Sequence, residues 1–203
     1  MNYKKDGYQL MKKAVLPELA NFVYNYFLLK RKAVDWAYRK NMIQPNSFFG
    51  TWGDAQVPGT YCCYADHAME TLLLMVLPKM QQETGLKLVP TYSFARIYKK
   101  GDILHRHTDR SSCEVSTTIH LGGDKWPLFI DGTGGRGNGG TKVLLDVGDM
   151  LVYSGCHLEH WREPFEGDVC GQVFLHYNHL DGPFAEKNRF DRRPMLGVPN
   201  LWD

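Results

Sequence analysis

Tyr92-Ser93-Phe94-Ala95-Arg96-Ile97-Tyr98-Lys99-Lys100-Gly101-Asp102, with His107-Thr108-Asp109 close behind, is the stretch where the chain changes period. Residues 92–98 are rich in aromatics without helical spacing, and Gly101-Asp102 closes them as a turn, so they read as a strand. The pattern recurs downstream over Ser116–Leu121, Trp126–Ile130, Thr141–Leu145, Met150–Tyr153, His157–Arg162 and Gln172–Tyr177. Short strands about ten residues apart, separated by Gly and Asp, indicate a β-sandwich or barrel. Upstream the spacing is helical. Leu19, Val23, Tyr26 and Phe27 predict a helix from Pro17 to about Met42, with Pro in the tolerant first turn. A second helix is predicted from an Asp66 N-cap to Gly85, carrying Met69, Leu72, Leu73, Val76 and Met80, with Pro78 expected to kink it or end its regular part. Trp52-Gly53 and Pro58-Gly59 read as loops. The expected class is α+β, one domain over 1–203: helical support in 1–85, a β core at about 90–180 and a C-terminal tail in 181–203.

Composition narrows the function classes. The chain is 43% hydrophobic and 23% charged, which fits a soluble globular domain rather than a fibre or a disordered tail. With 24 Lys+Arg against 22 Asp+Glu the net charge is +2, too low for a dedicated nucleic-acid binder. The longest apolar run, Leu72 to Leu77, is too short to span a bilayer. Met1-Asn2-Tyr3-Lys4-Lys5-Asp6 lacks the apolar core of a signal peptide, and five Cys without zinc spacing suggest reduced thiols, so the expected location is cytoplasmic. Glycine-rich 132–140 lacks the GK[ST] of a phosphate-binding loop and reads as a mobile hairpin lip. Arg189, Arg192 and Arg193 read as a solvated tail or lid.

Seven of the eight histidines lie beyond residue 100. In His107-Thr108-Asp109, residues i and i+2 of an extended chain face one side, so imidazole and carboxylate can reach one ion. By itself H-x-D is as common in solvated turns. A third donor must come from a neighbouring strand, and His120, His157, His160, His176 and His179 are the candidates. Two His and one carboxylate on one face of an ion leave the opposite positions open, as non-haem Fe(II) oxygenases require.

At these residues the chain resembles the Fe(II)/2-oxoglutarate-dependent oxygenases, in particular their prolyl-4-hydroxylase-like branch. In that family a Tyr-x-x-Gly strand leads into H-x-D, here Tyr98 to Gly101 and then His107 and Asp109. A Gly-Asp turn, here Gly148-Asp149, leads into the distal His, and Pro often follows that His four positions on. His160 has Pro164 in that place, whereas His157 has Trp161, so the resemblance selects His160. It covers about Tyr92 to Tyr177 and implies a double-stranded β-helix (jelly-roll, cupin-like) core with supporting helices. It also implies Fe(II), with 2-oxoglutarate and O2 as co-substrates, and hydroxylation with release of succinate and CO2. The implied substrate is a prolyl residue of a peptide or protein, or a free amino acid.

The family usually supplies a Lys or Arg about ten residues after the distal His to pair with the far carboxylate of 2-oxoglutarate. Here that neighbourhood reads Val169-Cys170-Gly171-Gln172, without a cation. Arg162 shares strand parity with His160 and is the first substitute; Arg96, on the face of Tyr98, is the second. The alternative for Arg162 is a structural salt bridge with Glu163 or Glu166. Tyr98 matches the family's co-substrate tyrosine, and Gln172 is a hydrogen-bond donor nearby. Ser116, Thr118 and His120 alternate along one strand face; in an ordinary sandwich that face is solvated, whereas in this family it lines the co-substrate pocket. Arg110 reads either as support for Asp109 or as an exposed turn residue, and Trp126, Trp161 and Tyr177 either border the substrate opening or belong to the core. Two rivals share the site: a non-catalytic cupin-like binding or sensing protein, and a zinc hydrolase built on the same His2Asp set.

Overall fold

The computed structural model describes the chain except residues 45, 47, 134–138 and 200–203. It consists of α1 (Tyr3–Asp6), β1 (Tyr8–Met11), α2 (Pro17–Arg39), β2 (Tyr61–Tyr64), α3 (His67–Thr84), β3 (Leu88–Lys99), β4 (Leu104–His107), β5 (Val115–Gly123), β6 (Leu128–Asp131), β7 (Thr141–Val143), β8 (Met150–Tyr153), β9 (Glu159–Arg162) and β10 (Val169–His179), plus two short 3-10 turns. The strands form a six-stranded sheet, β1-β8-β5-β10-β3-β2, and a four-stranded sheet, β4-β9-β6-β7. Every pairing is antiparallel. The four-stranded sheet holds the second, fourth, fifth and seventh of the eight consecutive strands β3–β10, and the larger sheet holds the other four. That interleaving is the double-stranded β-helix.

The large sheet has two buried faces with different tasks. Ala95 and Ile97 of β3, Ile119 and Leu121 of β5, and Val173, Leu175 and Tyr177 of β10 pack with Phe27 of α2 and Met69, Leu73 and Met80 of α3 into the main core. The intervening residues Tyr92, Phe94, Arg96, Tyr98, Thr118, Phe174 and His176 turn the other way and line a cavity between the sheets. The alternation of side chains along a strand thus separates core from site.

Asp66 caps α3 by accepting from the backbone N–H groups of Ala68 and Met69 at 2.9 and 3.2 Å, and Gly85 ends the helix at φ 74°. The helix continues past Pro78 to Thr84 rather than stopping at it. No helix among the described residues is long and apolar enough to cross a membrane. Of the glycine-rich lip expected at 132–140, residues 134–138 lie outside the described residues.

Of the arginines expected in a solvated tail, Arg189 and Arg192 are exposed and Arg193 is not. Arg193 is buried and its Nη2 pairs with the buried Glu70 at 2.6 Å. Its Nη1 and Nε donate to the carbonyls of Val198 and Phe190 at 2.9 and 2.8 Å. Just before it, Phe190, Asp191 and Arg192 hold φ of 49°, 56° and 65°, three successive non-glycine residues in the left-handed region. Such backbone persists only where the surroundings fix it. Asp191 accepts from both Nη atoms of Arg110 at 2.7 Å and from the Tyr64 hydroxyl at 2.8 Å. Residues 189–198 are a strap fastened over the end of the large sheet.

Candidate metal and co-substrate site

His107 at the end of β4 and His160 in β9 are register partners. Asp109, just beyond β4, is fixed by its backbone N–H donating to the Gly155 carbonyl at 2.9 Å. Asp109 Oδ1 lies 3.6 Å from His107 Nε2 and 3.5 Å from His160 Nε2, and one donor atom from each residue falls within 4.8 Å of the others. Both rings are locked the same way: His107 Nδ1 donates to the His105 carbonyl at 2.7 Å, and His160 Nδ1 to the Leu158 carbonyl at 3.0 Å. A carbonyl can only accept, so each Nδ1 carries a proton, and each Nε2 faces the common point. Burial and the neighbouring His160 push the His107 imidazole below its usual value, keeping it neutral. Burial alone raises Asp109, but the hydrogen bond and charge of His160, with His176 and His107 beyond, hold its carboxyl below the usual range. A carboxylate and two imidazoles, each tied at Nδ1 to a carbonyl and turned inward at Nε2, are a donor set for a divalent transition metal.

The other histidines stand elsewhere. His157 is tied by Nδ1 to Ser154 Oγ at 2.9 Å, and His179 ends β10 on the far side of the sheet end. His176 bonds Ser116 Oγ at 2.8 Å and packs on Tyr92. With Asp109 and Cys113 it forms a second grouping of potential donors. Burial raises the Cys113 thiol well above its usual value, and its sulfur contacts the Tyr92 hydroxyl at 3.1 Å, so it remains a thiol and a poor ligand.

Arg162 lies on the face of β9 that carries His160, with none of its surface exposed. It has no salt bridge to Glu163 or Glu166. One nitrogen, Nη1, donates to the Trp126 carbonyl, and the guanidinium lies 5.1 Å over the Trp126 ring. Nε and Nη2 have no partner. These two donors point along one edge of the guanidinium, the fork that matches a carboxylate. Its charge is felt at Cys170 and Tyr98, so it reaches, from the opposite sheet, the neighbourhood where a cation on β10 is missing. Beside it lie Gln172 and His120: Thr118 donates to Gln172 Oε1 at 3.1 Å, and Gln172 Nε2 contacts His120 Nδ1 at 3.0 Å. Burial, then the charge of Arg162, push His120 down to about 4, so it is neutral. Burial raises the Tyr98 phenol, which keeps its proton.

Arg96 is also buried and lines the cavity. Its Nη2 pairs with Asp54 at 2.7 Å and reaches Gln56 Oε1 at 3.3 Å, while Nε and Nη1 have no partner. Gln56 Nε2 in turn contacts His107 Nε2 at 3.2 Å. The loop between α2 and β2 thus lies across the donor cluster.

Arg110 lines the cavity and also pairs with Asp191 of the strap, while Trp161 faces away, stacked on Phe129 at 5.6 Å with its Nε1 on Glu163. Trp126 packs on Tyr98 and Phe165 beside the interior end of the cavity, while Tyr177 belongs to the helix-facing core. Asp54, Gln56, Phe94, Tyr153 and Phe174 line the cavity and were not singled out from the sequence. Phe94 and Phe174 share parity with Tyr98 and Gln172 and were legible on that ground; nothing local marks Asp54 or Gln56.

No protein-family model matches the chain, and no curated protein is similar to it in sequence. Solved structures do match in fold. A prolyl-4-hydroxylase from Pseudomonas putida superposes with a TM-score of 0.58 at 14% identity, over 87% of this chain and 95% of its own. A 2OG-Fe(II) oxygenase family oxidoreductase from Burkholderia pseudomallei gives 0.63 at 14%, over 94% and 91%. HygX from Streptomyces hygroscopicus, solved with nickel and 2-oxoglutarate bound, gives 0.57 at 13%, over 88% and 85%. The resemblance read from the motifs is therefore matched by the fold of nearly the whole chain.

Proposed function

We propose that the chain is an Fe(II)- and 2-oxoglutarate-dependent dioxygenase that hydroxylates an unactivated C–H bond, with His107, Asp109 and His160 holding the metal. The observation that carries this reading is the conjunction of the three-donor cluster with the half-paired, fully buried guanidinium of Arg162. A buried cation without a counter-charge is costly, and an anionic co-substrate supplies the missing partner. Bound at the cluster, Fe(II) with 2-oxoglutarate supplies the oxidation of C–H to C–OH by O2, with succinate and CO2 as the other products.

The residues divide the remaining work. His107 and His160 turn their Nε2 atoms to the common point, each ring being held by its Nδ1 on a carbonyl. Asp109 brings one negative charge, steadied by Ser116 Oγ at 3.2 Å. Arg162 takes the far carboxylate of the co-substrate, with Tyr98, Thr118, His120 and Gln172 as its polar surroundings. Leu104, Leu128, Phe94 and Phe174 give the cavity apolar walls among its polar groups. Gln56 must release His107 Nε2 when a metal takes that lone pair. As substrate we assign a prolyl residue or a free amino acid, supported by the Tyr98–Gly101 and His160–Pro164 motifs and by the prolyl-hydroxylase among the fold neighbours. The test is succinate formation by anaerobically purified protein given Fe(II) or Zn(II), 2-oxoglutarate and O2. Iron-dependent succinate that is lost in Asp109→Ala is expected; hydrolysis supported by zinc, without succinate, would overturn the reading.

A further inference from the structure

Two buried guanidinium groups, not one, are left half-paired between the sheets. Arg162 and Arg96 each keep two nitrogens without a hydrogen-bond partner. Their positions differ. Arg162 sits in the small sheet with no exposed surface, two residues beyond His160 and against Trp126. Arg96 sits in the large sheet and lines the open cavity beside the loop that covers the metal cluster. Its one counter-charge, Asp54, is 28% exposed at the side chain, and Asp54 also accepts from the backbone N–H groups of Gln56 and Val57 at 3.0 and 3.4 Å. One oxygen of a loop carboxylate thus serves several donors and leaves most of Arg96 unanswered. A single 2-oxoglutarate has one free carboxylate once its keto-acid end is on the metal, and Arg162 answers it.

We propose that Arg96 binds a carboxylate of the primary substrate, which is therefore a small organic acid such as a free amino acid rather than an internal prolyl residue of a polypeptide. This rests on the dioxygenase reading and narrows its substrate class. The cavity, of about 310 Å³ and lined by Arg96 but not by Arg162, is at the lower end for small-molecule sites and suits a compact acid. Phe94 and Tyr98, whose rings lie 5.2 and 5.5 Å from the Arg96 guanidinium, hold it by their faces and offer the acid's carbon skeleton an apolar wall. Gln56 links the two functions: its carbonyl oxygen accepts from Arg96 while its amide nitrogen touches His107 Nε2.

The probes are the standard L-amino acids and C2–C6 monocarboxylic acids, each beside its primary amide. They are titrated calorimetrically into the protein with Fe(II) and 2-oxoglutarate under anaerobic conditions, and into the metal-free chain. Acids that bind at least about tenfold more tightly than their amides are expected, the difference vanishing in Arg96→Gln and surviving in part in Arg96→Lys. The affinity for 2-oxoglutarate should move less than about twofold in Arg96→Gln and fall at least about tenfold in Arg162→Gln. The inference is overturned if no acid binds, if acids and amides bind alike, if the preference survives in Arg96→Gln, or if Arg96→Gln is the variant that loses 2-oxoglutarate. The acid–amide comparison needs only the wild-type chain, so an unfolded variant leaves it decisive. Should the wild type with metal fail to bind 2-oxoglutarate, the dioxygenase reading falls, while the acid preference of the metal-free chain still decides the role of Arg96.

Discussion

A guanidinium buried without a counter-ion makes a residue conspicuous, and Arg162 is such a residue. Replacing it by Gln keeps a donor but removes the charge and the fork. The apparent 2-oxoglutarate requirement should rise at least about tenfold while Fe(II) binding, followed by metal titration, stays within about twofold. A second prediction concerns His120, whose folded value is about 4 against 6.5 unfolded. The unfolded chain binds the proton first, so the fold is fully stabilised by this group above about pH 6.5 and loses that stabilisation as pH falls toward 4. In the metal-free protein His120 should account for a loss of about 2 kcal/mol between pH 7 and pH 4.5, beside a similar loss from His176, which burial also pushes down to about 4, both read as a falling urea midpoint. His120→Gln should flatten that slope; an unchanged slope would assign it to other groups. His107 and Asp109 are different in kind: they sit at the cavity rather than in the core, so His107→Ala or Asp109→Ala should abolish iron-dependent succinate with the circular dichroism spectrum retained.

Elements aim these residues, and glycine at position 155 shows how tightly. A Cβ there would stand 2.3 Å from the Cys113 carbonyl oxygen and 2.5 Å from Asp109 Oδ2, so backbone and ligand would both have to shift. Gly155→Ala should therefore lower metal affinity at least about tenfold and destabilise the fold by about 1–3 kcal/mol, the usual range for overpacking. Competition with a chromophoric chelator would measure the first, denaturant titration the second. How much of this was legible follows from the same elements. The strands from β5 to β10 were readable because their polar and apolar residues alternate or bunch between Gly and Asp. β2 was not, because Tyr61-Cys62-Cys63-Tyr64 is buried throughout and carries no alternation. β4 was not, because Leu104-His105-Arg106-His107 spends its side chains on the site and on ion pairs. The candidate donors His107 and Asp109 were read from their spacing and His160 from the family resemblance, whereas Asp54 and Gln56 enter the cavity from a loop whose path depends on the packing of α2 and β2.

At the scale of the molecule the strap joins parts of the chain far apart in sequence. Arg193 neutralises Glu70 at the start of α3, and Asp191 grips Arg110, the residue after the candidate ligand Asp109. Removing one member of a buried pair leaves the other uncompensated, so Arg193→Met should destabilise the protein by about 3–5 kcal/mol, with much of that recovered when Glu70→Leu is added. Urea denaturation of the single and double variants checks it; additive losses would show that the two charges are not coupled. The α3 end of the large sheet and the metal face are thus held by one segment.

The two-sided strands of the large sheet also bear on which genetic changes this protein can survive. A point substitution at Arg96 or Thr118 alters chemistry and leaves Ala95 or Ile119 in place on the helix side. Loss or gain of a single codon within residues 93–98 is another matter, because every later side chain in the strand changes face. Arg96 would then be driven among Phe27 and the α3 leucines, and Ile97 into the cavity. Drift by substitution is open to these strands, whereas insertions and deletions are confined to the loops between them.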